Sequence, residues 1–450
     1  MSFKRYPDLP AELRSAVRQF AIDERRWPSK TEPTRMQGRP LRCAPLACVN
    51  REWQSDVERS LFSALYLYQC PACPGDETED LQCLDAMVTP VRQPLVNFIT
   101  LRMRVDETRH SVDWASSDTE YWNNAVRHAL DRLFRTLNKW EWPESQWAVL
   151  GLHLVLETFL TKMTTGTPVV LADLPVVPVI VSFQVTAVEC GFPFTLPSFL
   201  AMGGKLPGLT LLNVEKRGSY MATDECLKFL NEVPQEFPNL KHLDFSPWAH
   251  DSYDVYHQKH QDRVTEMNIA SLGQLIRPVR EFSYGLESLR VLNVVNLDYF
   301  FAPFNSENYR AASFTGPTWP RLRGLCLEGP FKLHERPQGR DTDDRERLGI
   351  AVGRAVGFMP ELQYLEIQGF SYPSSRWEAE EVVFSLEQNS LDYCLSSFSG
   401  GSPVEGYKPS SKLLKIWTDS VWKARGHTLK VSFNHQPLSD ILDGQGNLDG

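Results

Sequence analysis

No long apolar run breaks the polar texture of this 450-residue chain. The strongest stretch, Val169 to Phe183, is interrupted by Asp173, Pro175 and Pro178 and is too short to span a bilayer. The opening residues, Met1 to Pro10, hold no apolar core of the kind a secretory signal needs, so none is expected. An excess of positive charge is also missing: 47 Lys plus Arg stand against 56 Asp plus Glu, a net charge of −9. Phosphate backbones call for a cationic face, so a dominant nucleic-acid role is not expected. Gly203-Gly204-Lys205-Leu206 lacks both the upstream glycine and the Ser/Thr after lysine that a phosphate loop requires. Nowhere is there a G-x-S-x-G, an H-E-x-x-H or a glycine-rich dinucleotide fingerprint. The nine cysteines are an odd number without a paired framework, which fits reduced thiols in a cytoplasmic or nuclear protein. A non-enzymatic, intracellular chain that binds no membrane and needs no cofactor is the resulting expectation.

What is present divides unevenly. Residues 1–60 carry twelve Lys/Arg and eight Asp/Glu, a local +4, so the remaining residues carry −9 − 4 = −13. Leu9-Pro10-Ala11-Glu12-Leu13 opens an amphipathic helix with Leu13, Val17 and Phe20 on one face and Pro10 suited to its first turn. A basic segment, Arg25 to Arg42, is punctuated by Pro28, Pro33, Gly38 and Pro40 and reads as a loop. A second helix is expected over Pro45 to Gln54, with Leu46, Val49 and Trp53 on one face, and a third around Val57, Leu61, Phe62 and Leu65.

A short phrase recurs through the rest. It runs Leu206-Pro-Gly-Leu-Thr-Leu-Leu-Asn-Val214 and Phe237-Pro-Asn-Leu-Lys-His-Leu-Asp-Phe245. It returns as Leu286-Glu-Ser-Leu-Arg-Val-Leu-Asn-Val294, Trp319-Pro-Arg-Leu-Arg-Gly-Leu-Cys-Leu327 and Met359-Pro-Glu-Leu-Gln-Tyr-Leu-Glu-Ile367. Aligned leucines at 209, 240, 289, 322 and 362 give steps of 31, 49, 33 and 40. Proline ends the preceding helix, and the closing Leu-x-apolar step is a strand whose alternate side chains enter one core. Helical patterns lie between copies, as in Thr223 to Leu230 and Arg347 to Val356. Strand plus helix per repeat at these periods predicts an α/β leucine-rich-repeat solenoid. Strand-like runs at Leu65–Leu67, Phe98–Met103, Val149–Val155, Val179–Phe183 and Thr428–Phe433 would extend it to roughly ten units. The expected organisation is a three-helix bundle over 1–65, a solenoid over 66–436 and a polar tail over 437–450.

Leu9-Pro10-x-Glu12-Leu13, followed by Leu46-Ala47-Cys48-Val49-Asn50-Arg51-Glu52-Trp53 and Phe62-x-x-Leu65, resembles an F-box. The resemblance spans about 60 residues, and with the repeats that follow the chain is similar to the F-box/leucine-rich-repeat substrate receptors, fungal ones in style. The resemblance implies a role in protein ubiquitination. The F-box would bind the adaptor subunit of an SCF-type cullin-RING ubiquitin ligase, and the repeats a target protein. It places Leu9, Pro10, Leu13, Leu46, Val49, Trp53 and Phe62 at or behind the adaptor contact. The long basic spacer and the Arg14-Ser15-Ala16 continuation depart from the family pattern. An alternative is a repeat-type interaction scaffold whose F-box-like segment is only a cap.

In each strand phrase the residue between the last two apolar positions points away from the core, giving Asn213, Asp244, Asn293, Cys326 and Glu366 as candidate target contacts. The charge deficit of the repeat region suggests a basic patch on that target. Other residues attract blander readings. Cys70-Pro-Ala-Cys73 with Cys83 lacks the second knuckle of a zinc site and reads as a loop. His250, His257 and His260, interspersed with Asp251 and Asp254, fall in the longest inter-repeat step and read as a solvated insertion. Trp140, Trp142 and Trp147 read as a packed repeat junction.

Overall fold

In the computed structural model, the described residues are 9–26, 48–69, 80–104, 119–140, 151–160, 171, 173–189, 199–217, 223–249, 269–292, 295–305, 318–330, 341–371, 380–387, 390–397, 409–425 and 430–434. They form a mixed α/β molecule around one twelve-stranded sheet.

Two helices come first. Helix α1, Ala11–Arg26, begins where the Arg14 N–H donates to the Pro10 carbonyl at 3.0 Å. Helix α2, Arg51–Ser63, is capped by Asn50, whose side-chain oxygen accepts from the Trp53 N–H at 3.1 Å. The stretches expected as a second and a third helix thus differ from what is observed. Asn50 competes for the backbone N–H groups and starts the helix after Val49, and the same helix continues through Val57 and Leu61. Leu65 then lies in a strand, because β1, Ala64–Gln69, follows directly. The junction between helices and sheet falls between Ser63 and Ala64.

The strands follow one another in space in chain order, with none skipped. After β1 come β2, Phe98–Arg104, β3, Leu152–Leu160, and β4, Ile180–Glu189. Next are β5, Leu211–Arg217, β6, His242–Ala249, β7, Ser288–Val291, β8, Gly324–Pro330, and β9, Tyr364–Ser371. These nine pair in parallel. Strands β10, Glu380–Glu387, and β11, Ser390–Ser397, then run antiparallel to their predecessors, and β12, Lys430–Asn434, lies parallel to β11.

Helices α3, Asp80–Met87, and α4, Thr119–Asn138, precede β3, and α5, Thr223–Glu236, and α6, Ile269–Ser283, flank β6. The short α7, Leu297–Phe300, α8, Asp341–Val356, and α9, Ser411–Arg425, follow. Buried positions at helical spacing, such as Val126, Leu130, Leu133 and Leu137 on α4, join a single core cluster. The same cluster takes alternate strand residues: Ile99 and Leu101, Leu154 and Leu156, Phe183 and Val185, Leu212 and Val214, Leu243 and Phe245. Aromatic rings stack along it, Phe183 on Phe199 at 5.5 Å and Phe229 on Phe245 at 5.1 Å. Trp319 lies fully buried between Tyr284, Phe300 and Phe304, its indole N–H donating to the Ser283 hydroxyl at 2.7 Å. Gly353 makes room for a second buried indole, since a Cβ there would press on the Trp417 ring at 2.8 Å.

Four of the five repeated phrases open with a hydrogen-bonded turn: the amides of Leu209, Leu240, Leu286 and Leu362 donate to the carbonyls of Leu206, Phe237, Ser283 and Met359. The third copy therefore starts at Ser283, three residues earlier than the sequence phrase suggests. Pairing of Leu243 with Leu289 and of Leu289 with Leu325 settles it. The equivalent leucines are 209, 240, 286, 322 and 362, with steps of 31, 46, 36 and 40. Ser283 replaces the large residue that opens the other copies, and the Trp319 indole, bonded to its hydroxyl, fills the space.

Candidate functional site

The residues singled out in the sequence fall on two surfaces. On the first, α1 packs against α2 through Arg18. Arg18 is 8% exposed, and its guanidinium binds the Asp56 carboxylate through Nε and Glu52 through Nη1 at 2.9 Å. Arg14 approaches Glu52 at 3.5 Å. Arg14/Arg18 and Glu52/Asp56 are each spaced one helical turn apart, so two like pairs meet across the interface. Trp53 and Val57 are buried beneath.

With Arg18 turned inward, Leu13 and Val17 of α1 are left outside. Leu13 is 53% exposed, Val17 37% and Val49, just before α2, 59%. Pro10 is exposed and Leu9 partly so. Trp53 belongs to the interior, and Phe62 packs against the main core with the Arg92 guanidinium 4.7 Å over its ring. Arg92 in turn binds Glu58 at 2.9 Å. Of the residues expected at the adaptor, Leu9, Pro10, Leu13 and Val49 are at least partly accessible, Trp53 is buried and Phe62 packs against the core. Leu46 lies outside the described residues. Arg18 escaped notice in the sequence because its partners are more than thirty positions away.

The second surface is the sheet face opposite the core. Its central row, read across the register, is Tyr66, Thr100, Val155, Gln184, Asn213, Asp244, Arg290, Cys326 and Glu366. Asn213, Asp244, Cys326 and Glu366 therefore stand side by side. Their neighbour on β7 is Arg290, three positions from Asn293, as the shifted third copy requires; Asn293 itself lies outside the described residues. Flanking rows hold Ser182, Leu211, His242, Ser288 and Tyr364 on one side and Glu157, Thr186, Glu215, Ser246 and Glu328 on the other.

Charge is unevenly shared along this face. Arg102 binds Glu157 at 2.6 Å, and Arg290 binds Asp244 at 3.2 Å. The Tyr364 hydroxyl donates to the Glu366 carboxylate. Burial raises the Asp244 carboxyl above its ordinary value, with the Arg290 guanidinium opposing. Burial, helped by Glu366, pushes the Cys326 thiol up to about 12, so at neutral pH it is a neutral thiol and not a nucleophile. Burial lowers the His242 imidazole, which is therefore uncharged at neutral pH. The set offers hydrogen bonds and charge along a polar strip.

A shallow cleft of about 250 Å³ lies beside α4, lined by Arg127, His128, Asp131, Arg135, Asp173 and Leu174. Its guanidinium groups are engaged, Arg127 with Asp173 at 2.9 Å and Arg135 with Asp131 at 2.7 Å. Among the described residues no three His, Cys, Asp or Glu side chains gather as metal ligands. Cys83 is exposed, while Cys70, Cys73, His250, His257 and His260 lie outside the described residues. Trp140 is buried, and Trp142 and Trp147 lie outside the described residues. No described helix is long and apolar enough to cross a membrane.

Residues 234–445, from the end of α5 through β12, match the model of DUF6546, a family of unknown function. No curated protein matches the chain.

Proposed function

We propose that this chain is a non-enzymatic substrate receptor of an SCF-type ubiquitin ligase, working in the cytoplasm or nucleus. In this reading α1 and α2 form a divergent F-box and the sheet with its helices is an irregular leucine-rich-repeat solenoid. The observation that carries it is the exposed trio Leu13, Val17 and Val49, on or just beside a helix pair directly ahead of an in-order, mostly parallel sheet. Apolar side chains left out of a core that buries so many others favour a partner surface. The row Asn213–Asp244–Arg290–Cys326–Glu366 would meet the target. Retention of the ligase adaptor subunit by the full chain, and its loss in Leu9→Asp/Leu13→Asp, is the test. If wild type retains no adaptor under conditions where an established F-box does, the ligase role is wrong.

A second reading has its own support. Helix α2 leads into β1 without a linker, and Phe62 and Leu65 pack on the sheet core. The helix pair would then be an end cap for an interaction scaffold with no ligase role. That version expects removal of residues 1–63 to destabilise the sheet and no adaptor to be retained.

A further inference from the structure

We propose that Asp80 is the gatekeeper of the first sheet edge: its carboxylate plugs β1 and keeps a second copy of this chain from adding its own β1 there.

β1 stands first in the sheet, with a neighbouring strand on one side only among the described residues. Its sequence, Ala64-Leu-Tyr-Leu-Tyr-Gln69, holds no charge, no proline and no glycine, and its two tyrosines favour an extended backbone. An uncharged hexamer of this kind at an edge is a template for a copy of itself. Tyr66, near its middle, is 67% exposed, so the strand is within reach of another molecule. The last strand differs: β12 has five residues and begins with Lys430, and both shortness and a lysine discourage edge pairing. β1 has no such charge in its own sequence, and the charge it needs comes from α3.

The hydrogen bonds show how. The Ser63 carbonyl accepts from the Asn97 N–H at 3.1 Å, at the entrance to β2. Backbone groups of a strand address its two sides in alternation, so Leu65 and Leu67 face β2 while Ala64, Tyr66 and Tyr68 face the edge. On that edge the Tyr68 N–H donates to Asp80 Oδ2 at 2.8 Å. Asp80 is the first residue of α3, and Leu81 and Leu84 behind it are buried in the core, which fixes the carboxylate in place. Two β1 strands meeting antiparallel about Tyr66 would need each Tyr68 N–H for the Ala64 carbonyl of the other copy. Asp80 takes that N–H in both copies. It also sets carboxylate oxygen against the incoming carbonyl oxygen, where no hydrogen can lie between them.

Light scattering on the full chain, eluted from a sizing column over a series of loading concentrations, tests this. Asp80→Ala should raise the average mass with concentration, towards twice that of wild type. Asp80→Asn keeps an acceptor oxygen at the same reach and should elute as wild type does. Tyr66→Pro added to Asp80→Ala should restore the wild-type mass: proline removes an N–H that faces the edge, leaves the bonds to β2 intact and bars strand addition. Aggregation of a merely misfolded variant would not be cured by a proline in a strand. A wild-type mass for Asp80→Ala at every concentration overturns the inference. So does association that persists in the Tyr66→Pro double variant, or that appears equally in Asp80→Asn.

Discussion

The α1–α2 pair and the sheet solve burial in opposite ways. In the helix pair the fastener is charged: Arg18 sits between Glu52 and Asp56, and Leu13 and Val17 point outward. In the sheet the interior is apolar from Ile99 to Ile367, and the charged residues lie on the outer row. Apolar burial is non-directional and grows with area, so it suits the part that must hold its shape. Ion pairs reaching toward solvent contribute less. A region fastened that way keeps its apolar residues available, and the two halves of the molecule are correspondingly expected to differ in stability and in what they offer a partner.

The largest effect that would sharpen this contrast is Trp319→Ala. Removing an indole packed against three aromatic rings and bonded to Ser283 should cost about 3–5 kcal/mol in chemical unfolding. Arg18→Met should loosen α1 by about 1–3 kcal/mol, seen as faster amide exchange in α1 with β5 and β6 unchanged. Equal loss in both regions would break the contrast and make them one cooperative unit. Leu13→Asp should shift stability by no more than about 0.5 kcal/mol, since that side chain already lies in water, while adaptor retention is lost.

Asp244→Asn is expected to have the smallest effect on the fold, with a definite sign. A carboxyl raised in the folded state binds its proton more tightly there than in the unfolded chain. Wild-type stability from this group therefore falls as pH rises from its ordinary value near 3.8 through its raised native value. The Asn variant escapes that fall, so its thermal midpoint should gain on wild type across this window. A relative loss would mean that the Arg290 contact outweighs burial.

Much of the sheet was legible from sequence because the Pro-x-Leu-x-x-Leu phrase encodes two events at once, a turn and a strand. β5, β6, β8 and β9 all lie where that phrase puts them. β7 was misaligned because Leu286 and Leu289 are both plausible anchors in Leu286-Glu-Ser-Leu289. Only pairing with β6 and β8 chooses between them, and the choice decides whether Arg290 or Asn293 joins the row. β10 and β11 carry no such phrase; they are antiparallel and need no helix between them, so the period gives no sign of them. At the N-terminus, periodicity located Leu13 and Val17 on one face. Whether that face would be inside or outside depended on Arg18 finding Glu52 and Asp56, a contact between distant positions that no local pattern encodes.

The strict chain order of the strands bears on how the molecule is made. Every strand bonds only to the one before it and the one after it. A chain leaving the ribosome can therefore add β2 to β1, then β3 to β2, without holding an unpaired strand in reserve for a partner not yet synthesised. Growth is like that of a stacked column, with one live edge at any moment. Ribosome-bound chains ending after β4, β6 and β9 should accordingly protect successively longer N-terminal portions from protease.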